Sequence, residues 1–232
     1  MEIHRSGDRF VTDAEGRRTR HSLSFGSHYD PDNLRFGLLV SHNDDLVQPG
    51  HGYPDHPHSN LEVVTWVLRG ALVHADSRGH SGVIEPGRVQ VMSAGAGVVH
   101  SETVDAASGP TRFLQAWVLP DEPGGPTAYD AAAVAPGPAW LPVASGAHPD
   151  AAVRIGARGA TLYAAHLAAG QRITVSQAPF AHLFIATGAV RLGAGDLGSG
   201  DAARFRDEGA DLVATSPTEA LLWTFADPLV GP

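Results

Sequence analysis

Two short segments place side chains that ligate metals two residues apart. The first is His56-Pro57-His58. Side chains at positions i and i+2 of a strand point to the same face, so both imidazoles could contact one cation if the segment is extended. In a chain with 13 His among 232 residues, about one such pair is expected by chance. The motif alone therefore does not identify a site.

The second segment, His100-Ser101-Glu102, adds a third imidazole and a carboxylate with the same spacing. Glycines between the two segments supply turns that could fold the second strand back beside the first. Three His nitrogens and one carboxylate suit a divalent transition metal and leave coordination positions open for substrate or dioxygen. Ligands of these types bind Fe(II), Ni, Mn, Co, Cu or Zn, so the residue types alone do not determine which metal occupies the site.

The composition excludes several other chemistries. The chain has no Cys and no Lys, and all 16 of its Lys-or-Arg residues are Arg. A Schiff-base lysine, a Walker-type phosphate loop, a thiolate nucleophile and a Cys-ligated metal site are therefore ruled out. The formal net charge of −9 argues against nucleic acid as a direct partner, because that partner requires a basic surface. The short basic cluster Arg17, Arg18 and Arg20 is expected to be a solvated turn.

The sequence also gives an expectation about location. No apolar run approaches the ~18 to 20 residues of a membrane span. The stretch Met1–Ser6 contains no apolar segment resembling a signal peptide. Together with the absence of Cys, these features favour a cytoplasmic protein without a membrane partner.

Short apolar runs separated by turn residues predict an all-β fold. The 27 Gly and 17 Pro are dispersed, and the runs between them are typical of an antiparallel sandwich or barrel. The most helix-like piece is Tyr129–Val134, with three consecutive alanines. The strands predicted in the first half are Leu34–Val40, Leu61–Leu68, Ala71–His74, Gly82–Ile84, Arg88–Met92, Gly97–Thr103 and Thr111–Leu119.

A segment rich in Pro and Gly divides the chain. We interpret residues 121–139 as a linker between an N-terminal domain of residues 1–120 and a C-terminal domain of residues 140–232. Both halves show the same order of strand, glycine turn, strand, turn and strand, which predicts a duplicated β-barrel. The strands predicted in the second half are Ala151–Ile155, Thr161–Leu167, Arg172–Val175, His182–Ala186, Ala189–Leu192, Ala202–Arg206, Leu212–Ala214 and Ala220–Phe225.

The motifs of the first half carry a family resemblance. The spacing of Gly50, His56-x-His58, Glu62 and Gly70 resembles the first cupin motif, and that of Gly87, Gly95 and His100 resembles the second. Over residues 20–119 the chain resembles the pirin family within the cupins. The matching text is Arg20-His21-Ser22-Leu23-Ser24-Phe25-Gly26, Asn43-Asp44-Asp45, His56-Pro57-His58, His74-x-Asp76-Ser77, Pro86-Gly87-x-Val89-Gln90-x-Met92 and Ser93-Ala94-Gly95-x-Gly97-x-x-His100-Ser101-Glu102.

The resemblance implies a bicupin, with two tandem jelly-roll-like β-barrels. It implies one metal, usually Fe(II), held in the N-terminal barrel by three His and one Glu, which map to His56, His58, His100 and Glu102. Many other cupins use the carboxylate at the position of Glu62, but the resemblance favours Glu102. Glu62 and Trp66 lie an even number of residues after His56, so in a continuous strand they would point to the same face. Glu62 is therefore expected next to the metal ligands, and Trp66 is expected to line the pocket.

The resemblance also implies a function. Bacterial pirins can act as quercetinases, so we expect a metal-dependent dioxygenase that cleaves a flavonol-like aromatic with O2, with Glu102 as a candidate base. The alternative is a metal-binding regulatory or interaction protein, with a protein partner and no physiological catalysis, as for the animal pirin. A third reading is an isomerase or another ring-cleaving dioxygenase on the same scaffold.

The remaining His and acidic residues are assigned structural roles. His51, His74 and His80 are expected at turns and strand ends rather than as ligands. Because the late histidines lack a His-x-His partner, the C-terminal barrel is predicted to be metal-free and structural. Two acidic pairs, Asp44-Asp45 and Asp121-Glu122, are expected in solvated loops.

Overall fold

The computed structural model describes residues 1–193 and 195–226. Strands make up 60% of it and helix 1%, the helix being a short 3-10 turn at Ser6–Asp8. None of the described residues forms a helix long and apolar enough to cross a bilayer. The dispersed Gly and Pro and the short apolar runs therefore give the expected all-β architecture.

Two sheets build the N-terminal barrel. The larger has the strand order β12-β9-β6-β11-β4-β3-β2, and the smaller has the order β5-β10-β7-β8. Its strands are β2 (Phe10–Ala14), β3 (Arg17–His21), β4 (Leu39–Val47), β5 (Gly52–His58), β6 (Glu62–Arg69), β7 (Leu72–Asp76), β8 (Ser81–Ile84), β9 (Arg88–Ser93), β10 (Val98–Thr103), β11 (Thr111–Val118) and β12 (Ala128–Ala133).

A nine-stranded sheet forms the C-terminal barrel, with the order β14-β13-β15-β20-β16-β19-β17-β18. The ninth strand is β1 (Glu2–His4), which pairs antiparallel with β19 although it comes from the other end of the chain. The other strands are β13 (Leu141–Ser145), β14 (Val153–Arg154), β15 (Ala160–Leu167), β16 (Arg172–Thr187), β17 (Ala189–Leu192), β18 (Gly195–Gly198), β19 (Ala202–Ala214) and β20 (Thr218–Phe225).

Strand alternation divides the N-terminal sheet into an inner and an outer face. On β6, Val63 and Val67 belong to two small apolar clusters that flank the polar interior, and Thr65 lies between them. The alternate residues Val64 and Trp66 face outward into a larger core. Because the period of a strand is two, one strand can supply polar groups to the barrel interior and apolar groups to the interface.

The larger core joins the two barrels. Val64, Trp66 and Leu114 of the N-terminal sheet belong to the same buried cluster as Phe184 and Trp223 of the C-terminal barrel. A separate apolar cluster fills the C-terminal barrel. The interior of the N-terminal barrel differs from these apolar cores, because it holds buried polar side chains. Burying such groups is costly unless they are hydrogen-bonded or coordinate a metal.

Several expectations from the sequence need correction. The basic cluster at residues 17–20 is strand β3 rather than a solvated turn. The strand predicted at Leu34–Val40 begins only at Leu39 and runs to Val47. The most helix-like piece is strand β12, which pairs with β9 at the edge of the sheet. Alanine's helix propensity is a weak preference, and pairing with an available sheet edge overrides it.

Candidate metal centre

Three neighbouring strands bring the predicted ligands together. On β10, His100 lies opposite His56 of β5 and opposite Asp76 of β7. Glu102, two residues further along β10, lies opposite His74 of β7. The two sequence motifs, far apart in the chain, are therefore direct neighbours in the small sheet.

Gly52 allows β5 to approach β10 closely beside Glu102. Its φ is +155°, and a Cβ atom at this position would overlap the carbonyl oxygen of Glu102 and the Cα of Thr103. The pairing of β5 with β10 also shifts register between His100 and Glu102. A bulge of this kind changes the direction of a side chain at a functional site.

The imidazoles of His56, His58 and His100 converge. Their ring centroids are 4.4 Å apart for His56 and His100, 5.0 Å for His58 and His100, and 4.9 Å for His56 and His58. One ring nitrogen from each lies within 4.8 Å of the other two. His58 and His100 are buried, whereas His56 is half-buried. This spacing is small enough for three ligands of one cation.

The free ring nitrogens fit a metal. His56 Nδ1 lies 2.8 Å from the carbonyl oxygen of Pro54, so donation from Nδ1–H leaves the lone pair of Nε2 free. The Nε2 atoms of His58 and His100 are buried and have no hydrogen-bond partner among the described residues. Buried polar atoms without a partner are costly. A coordinated cation would remove that cost.

Burial also keeps the rings of His58 and His100 neutral. It lowers the pKa of His58 to about 4 and that of His100 to about 3, and the neighbouring imidazoles lower both pKa values further. A neutral imidazole is the form that ligates metals, because its lone pair is not occupied by a proton. His58 and His100 are therefore in their ligating form at neutral pH.

Glu102 lies in the buried interior beside His100. Its Oε2 accepts a hydrogen bond from Gln115 Nε2 at 2.6 Å, and its Oε1 accepts one from Thr65 Oγ1 at 3.4 Å. Burial raises its pKa to about 7, and a nearby cation would favour its ionised form. One of its oxygens lies within 4.8 Å of ring nitrogens of His100 and His74. The structure thus groups Glu102 with His100 and His74, and groups His56 and His58 with His100.

His74 occupies an unexpected place. It is fully buried in β7, so its predicted position at a turn or strand end is wrong. Its Nδ1 lies 3.5 Å from Nδ1 of His100, and its Nε2 lies 3.4 Å from Oδ2 of Asp76. His74-x-Asp76 is a third pair with spacing i, i+2, and that spacing was the signal in the sequence that could have identified it.

Aromatic side chains form a wall next to the histidines. The ring of Trp117 lies edge-on to His58 at a centroid distance of 4.8 Å, and Phe25 lies 5.2 Å from Trp117. Tyr129 stacks on His74 at 4.9 Å and donates to Gln90 Oε1 at 3.0 Å. The sequence motifs do not point to these aromatic residues, although Gln115 and Trp117 share one face of the correctly predicted strand β11.

Two predicted pocket residues lie elsewhere. Trp66 is buried in the core between the barrels, where its Nε1 donates to Glu219 Oε1 at 2.7 Å. Glu62 accepts a hydrogen bond from Ser93 Oγ at 2.6 Å and approaches Gly156 of the C-terminal domain. The prediction that they line the metal pocket is wrong, because the turn at residues 59–61 changes the strand parity between β5 and β6.

The pair Asp44-Asp45 is also buried rather than solvated. Asp45 accepts hydrogen bonds from Thr19 Oγ1 at 2.5 Å and Tyr53 Oη at 2.6 Å. Burial raises the pKa of Asp45 to about 6, although both hydrogen bonds lower it. On the opposite face of β4, Asp44 receives two hydrogen bonds from Arg112, each 2.8 Å long. Sequence polarity alone gave no sign of this burial.

Comparison with known proteins agrees with this architecture. Residues 4–118 match the family described as Pirin, and residues 142–224 match the quercetinase C-terminal cupin domain. A Mycobacterium tuberculosis protein, provisionally named a quercetin 2,3-dioxygenase, is 47% identical over 231 residues, covering 96% of this chain and 94% of the relative. A pirin-like protein of Caulobacter vibrioides is 35% identical over 196 residues, covering 82% of this chain and 84% of the relative.

A solved structure resembles the whole chain. The bacterial pirin YhhW from Escherichia coli, in complex with nickel(II), superposes with a TM-score of 0.90 at 26% identity and covers 97% of this chain and 98% of its own. Two tandem β-barrels with a histidine cluster in the first define a bicupin. The chain belongs to the pirin family.

Proposed function

We propose that this pirin binds one divalent transition metal through His56, His58, His100 and Glu102 and uses it to open a flavonol-like aromatic ring with O2. The observation that carries the proposal is the convergence of three imidazoles, two of which have a buried Nε2 without a partner among the described residues. The nickel(II) complex of the Escherichia coli pirin and the provisional name of the mycobacterial relative support the metal and the reaction class.

We also propose Fe(II) as the native metal, because the resemblance to the pirin family implies iron. The donor set of three imidazoles and one carboxylate accepts Fe(II) among several divalent metals and leaves positions open to substrate and O2. When bound, such a metal lowers the pKa of a coordinated hydroxyl group and stabilises the resulting anion.

The residues of the chain supply positioning and proton transfer. Trp117 and Phe25 offer aromatic faces beside His58, against which a flavonol-like ring would stack. The Glu102 carboxylate would accept the proton of the substrate hydroxyl, while Gln115 and Thr65 hold its two oxygens. Burial of this carboxylate keeps competing water away from the proton it takes.

Oxygen uptake with the iron-loaded protein and quercetin tests the proposal. We expect uptake that depends on quercetin and on metal, and its loss in His56→Ala. The exposed His51 provides a matched control, since His51→Ala removes an imidazole outside the cluster. Full activity in His56→Ala, or no turnover with any divalent metal, would contradict the dioxygenase. Tight metal binding without turnover would instead favour the regulatory alternative.

A further inference from the structure

A second polar cavity lies where the N-terminal segment packs on the C-terminal barrel. Its volume is about 360 Å³, and it shares no lining residue with the histidine cluster. Residues 2–5, in and next to β1, line one side, and Arg204 of β19 lines another. The cavity therefore exists only because the N-terminus of the chain is folded onto the C-terminal sheet.

Two guanidinium groups of the cavity wall retain unused donors. Arg204 is only 5% exposed. Its Nη1 donates to Asn33 Oδ1 at 2.8 Å and its Nη2 to the carbonyl of Ser22 at 2.9 Å, while its Nε has no partner among the described residues. Arg9 donates from Nη2 to the carbonyl of Gly200, and its buried Nε and Nη1 have no partner there either. Every acceptor that these arginines use is neutral.

Neither of these two cations forms an ion pair with a described residue. No carboxylate within residues 1–193 and 195–226 lies within 4.0 Å of either guanidinium. Burial lowers both pKa values to about 10, so both groups remain positive at neutral pH. Buried charges are normally paired, because an unpaired one loses its hydration without compensation. The carboxylates that raise these two pKa values have other contacts: Asp44 pairs with Arg112 and Asp201 with Arg5, while Glu2 lies beside His4.

Aromatic rings hold the two guanidinium groups in place. Arg9 lies over the ring of Phe184 at 4.8 Å, and Arg204 lies over the ring of Phe36 at 5.2 Å. Such stacking fixes the plane of a guanidinium without using its N–H donors. The donors are therefore held in fixed positions, which would lower the entropic cost of binding an oxyanion that reaches them.

We propose that this cavity binds a small organic monocarboxylate through Arg9 and Arg204. Five arginines and four carboxylates line it, which leaves one net positive charge to complement one negative charge. A carboxylate matches the planar fork of a guanidinium. Phe10 lines the cavity and is 36% exposed, so it offers an apolar surface to the body of the ligand.

Calorimetric titration of the full-length, metal-loaded protein with sodium benzoate tests the proposal, at an ionic strength held constant with chloride. We expect saturable binding of one benzoate. Arg9→Gln and Arg204→Gln should each weaken it by about 10-fold or more, the loss expected for a charged hydrogen bond. Arg172→Gln is the matched control, since Arg172 is exposed on β16 outside the cavity, and it should leave binding unchanged.

Two further arms keep the result decisive. If Arg204→Gln does not fold, Phe10→Ala removes a partly exposed ring that stacks on His28, and it should weaken benzoate binding while leaving acetate binding unchanged. Inorganic phosphate, which has the charge but no apolar body, should bind more weakly than benzoate. The proposal is overturned by an absence of saturable benzoate binding, by binding that is indifferent to Arg9→Gln, or by phosphate binding more tightly than benzoate. None of these readouts uses enzymatic activity, so they stand apart from the proposed dioxygenase.

Discussion

His74 and His100 face each other through their Nδ1 atoms, 3.5 Å apart, inside the N-terminal barrel. The other nitrogen of His74 lies 3.4 Å from the carboxylate of Asp76. If His74 donates to Asp76, its Nδ1 carries a lone pair and accepts the Nδ1 proton of His100. The buried Nε2 of His100, which has no partner among the described residues, is then left unprotonated. In this arrangement Asp76 and His74 would select the tautomer of His100 that can bind a metal through Nε2.

Replacing His74 should therefore weaken metal binding without removing a proposed ligand. We expect His74→Leu to raise the metal Kd by about 10- to 100-fold, the range typical of partners that orient a ligating His. Competition with a chromogenic chelator measures this change. His74→Gln retains an acceptor for the His100 proton and should restore part of the affinity.

The exposed His51 again supplies the control, and His51→Ala should leave the metal Kd unchanged. An unaltered Kd in His74→Leu would show that the ring of His100 is oriented by packing alone. Asp76→Asn separates the two partners, because it weakens the acceptor of His74 but keeps the His74 ring in place.

The sequence was informative about the proposed ligands because their spacing is local. His56 and His58, and likewise His100 and Glu102, lie two residues apart within single strands, so strand alternation alone places each pair on one face. Hairpin turns between the two strands, together with the family resemblance, then predict that the two pairs lie near each other. The same logic extends to His74 and Asp76, which have the identical spacing.

Other features depend on relations that sequence spacing does not contain. Glu62 and Trp66 do not share a face with His56, because the turn at residues 59–61 joins strands of different sheets and interrupts the alternation of side chains. The burial of Asp45 depends on Thr19 and Tyr53, which reach it from other strands. The pairing of β1 with β19 is a contact between the two ends of the chain. Tertiary packing decides all three.

The two candidate carboxylates can be separated by a matched pair of variants. Glu102→Gln keeps the shape of the side chain but removes the negative charge beside His100, so we expect the metal Kd to rise about 10-fold or more. Glu62→Gln makes the same change between the barrels, where Glu62 contacts Ser93 and Gly156, and should leave the Kd unchanged. Metal titration measures both. A larger effect of Glu62→Gln would return the ligand role to the position used by many other cupins.

Metal removal should destabilise the protein. A ligand that binds only the folded chain stabilises it by about 2.7 kcal/mol at a free concentration 100 times its Kd, which corresponds to a rise in Tm of roughly 5–10 °C for a chain of this size. Differential scanning calorimetry with and without a chelator measures the shift. His56→Ala should show almost none of it, and an equal shift in that variant would place the metal elsewhere.

Trp66 should contribute to stability and not to metal binding. Trp66→Phe removes the hydrogen bond to Glu219 while retaining an aromatic ring in the core between the barrels. Leaving a half-buried carboxylate without this donor should cost about 1–3 kcal/mol, as measured by urea unfolding. The metal Kd should match that of the wild type. A changed Kd with unchanged stability would mean that Trp66 acts on the metal pocket after all.

The stability of the protein should fall in acid through a pair of histidines between the barrels. The rings of His42 and His182 lie 5.1 Å apart, and both are buried. Burial and then nearby charges lower the pKa of His42 to about 3, and they lower the pKa of His182 as well. Between the ordinary value of 6.5 and about 3, the unfolded chain binds a proton that folded His42 does not. The free energy of unfolding therefore decreases as the pH falls through this window, by up to about 1.4 kcal/mol per pH unit for one such group.

Urea unfolding of the metal-free protein between pH 7 and pH 4 measures this slope. The His42→Gln side chain cannot take up the proton in either the folded or the unfolded state. The free energy of unfolding of this variant should therefore depend less steeply on pH than that of the wild type, by up to about 1.4 kcal/mol per pH unit. His51→Gln changes an exposed histidine that has no ion pair among the described residues and should leave the slope unchanged. Equal slopes in the wild type and His42→Gln would mean that folded His42 accepts its proton at an ordinary pH, through an opening of the interface between the barrels.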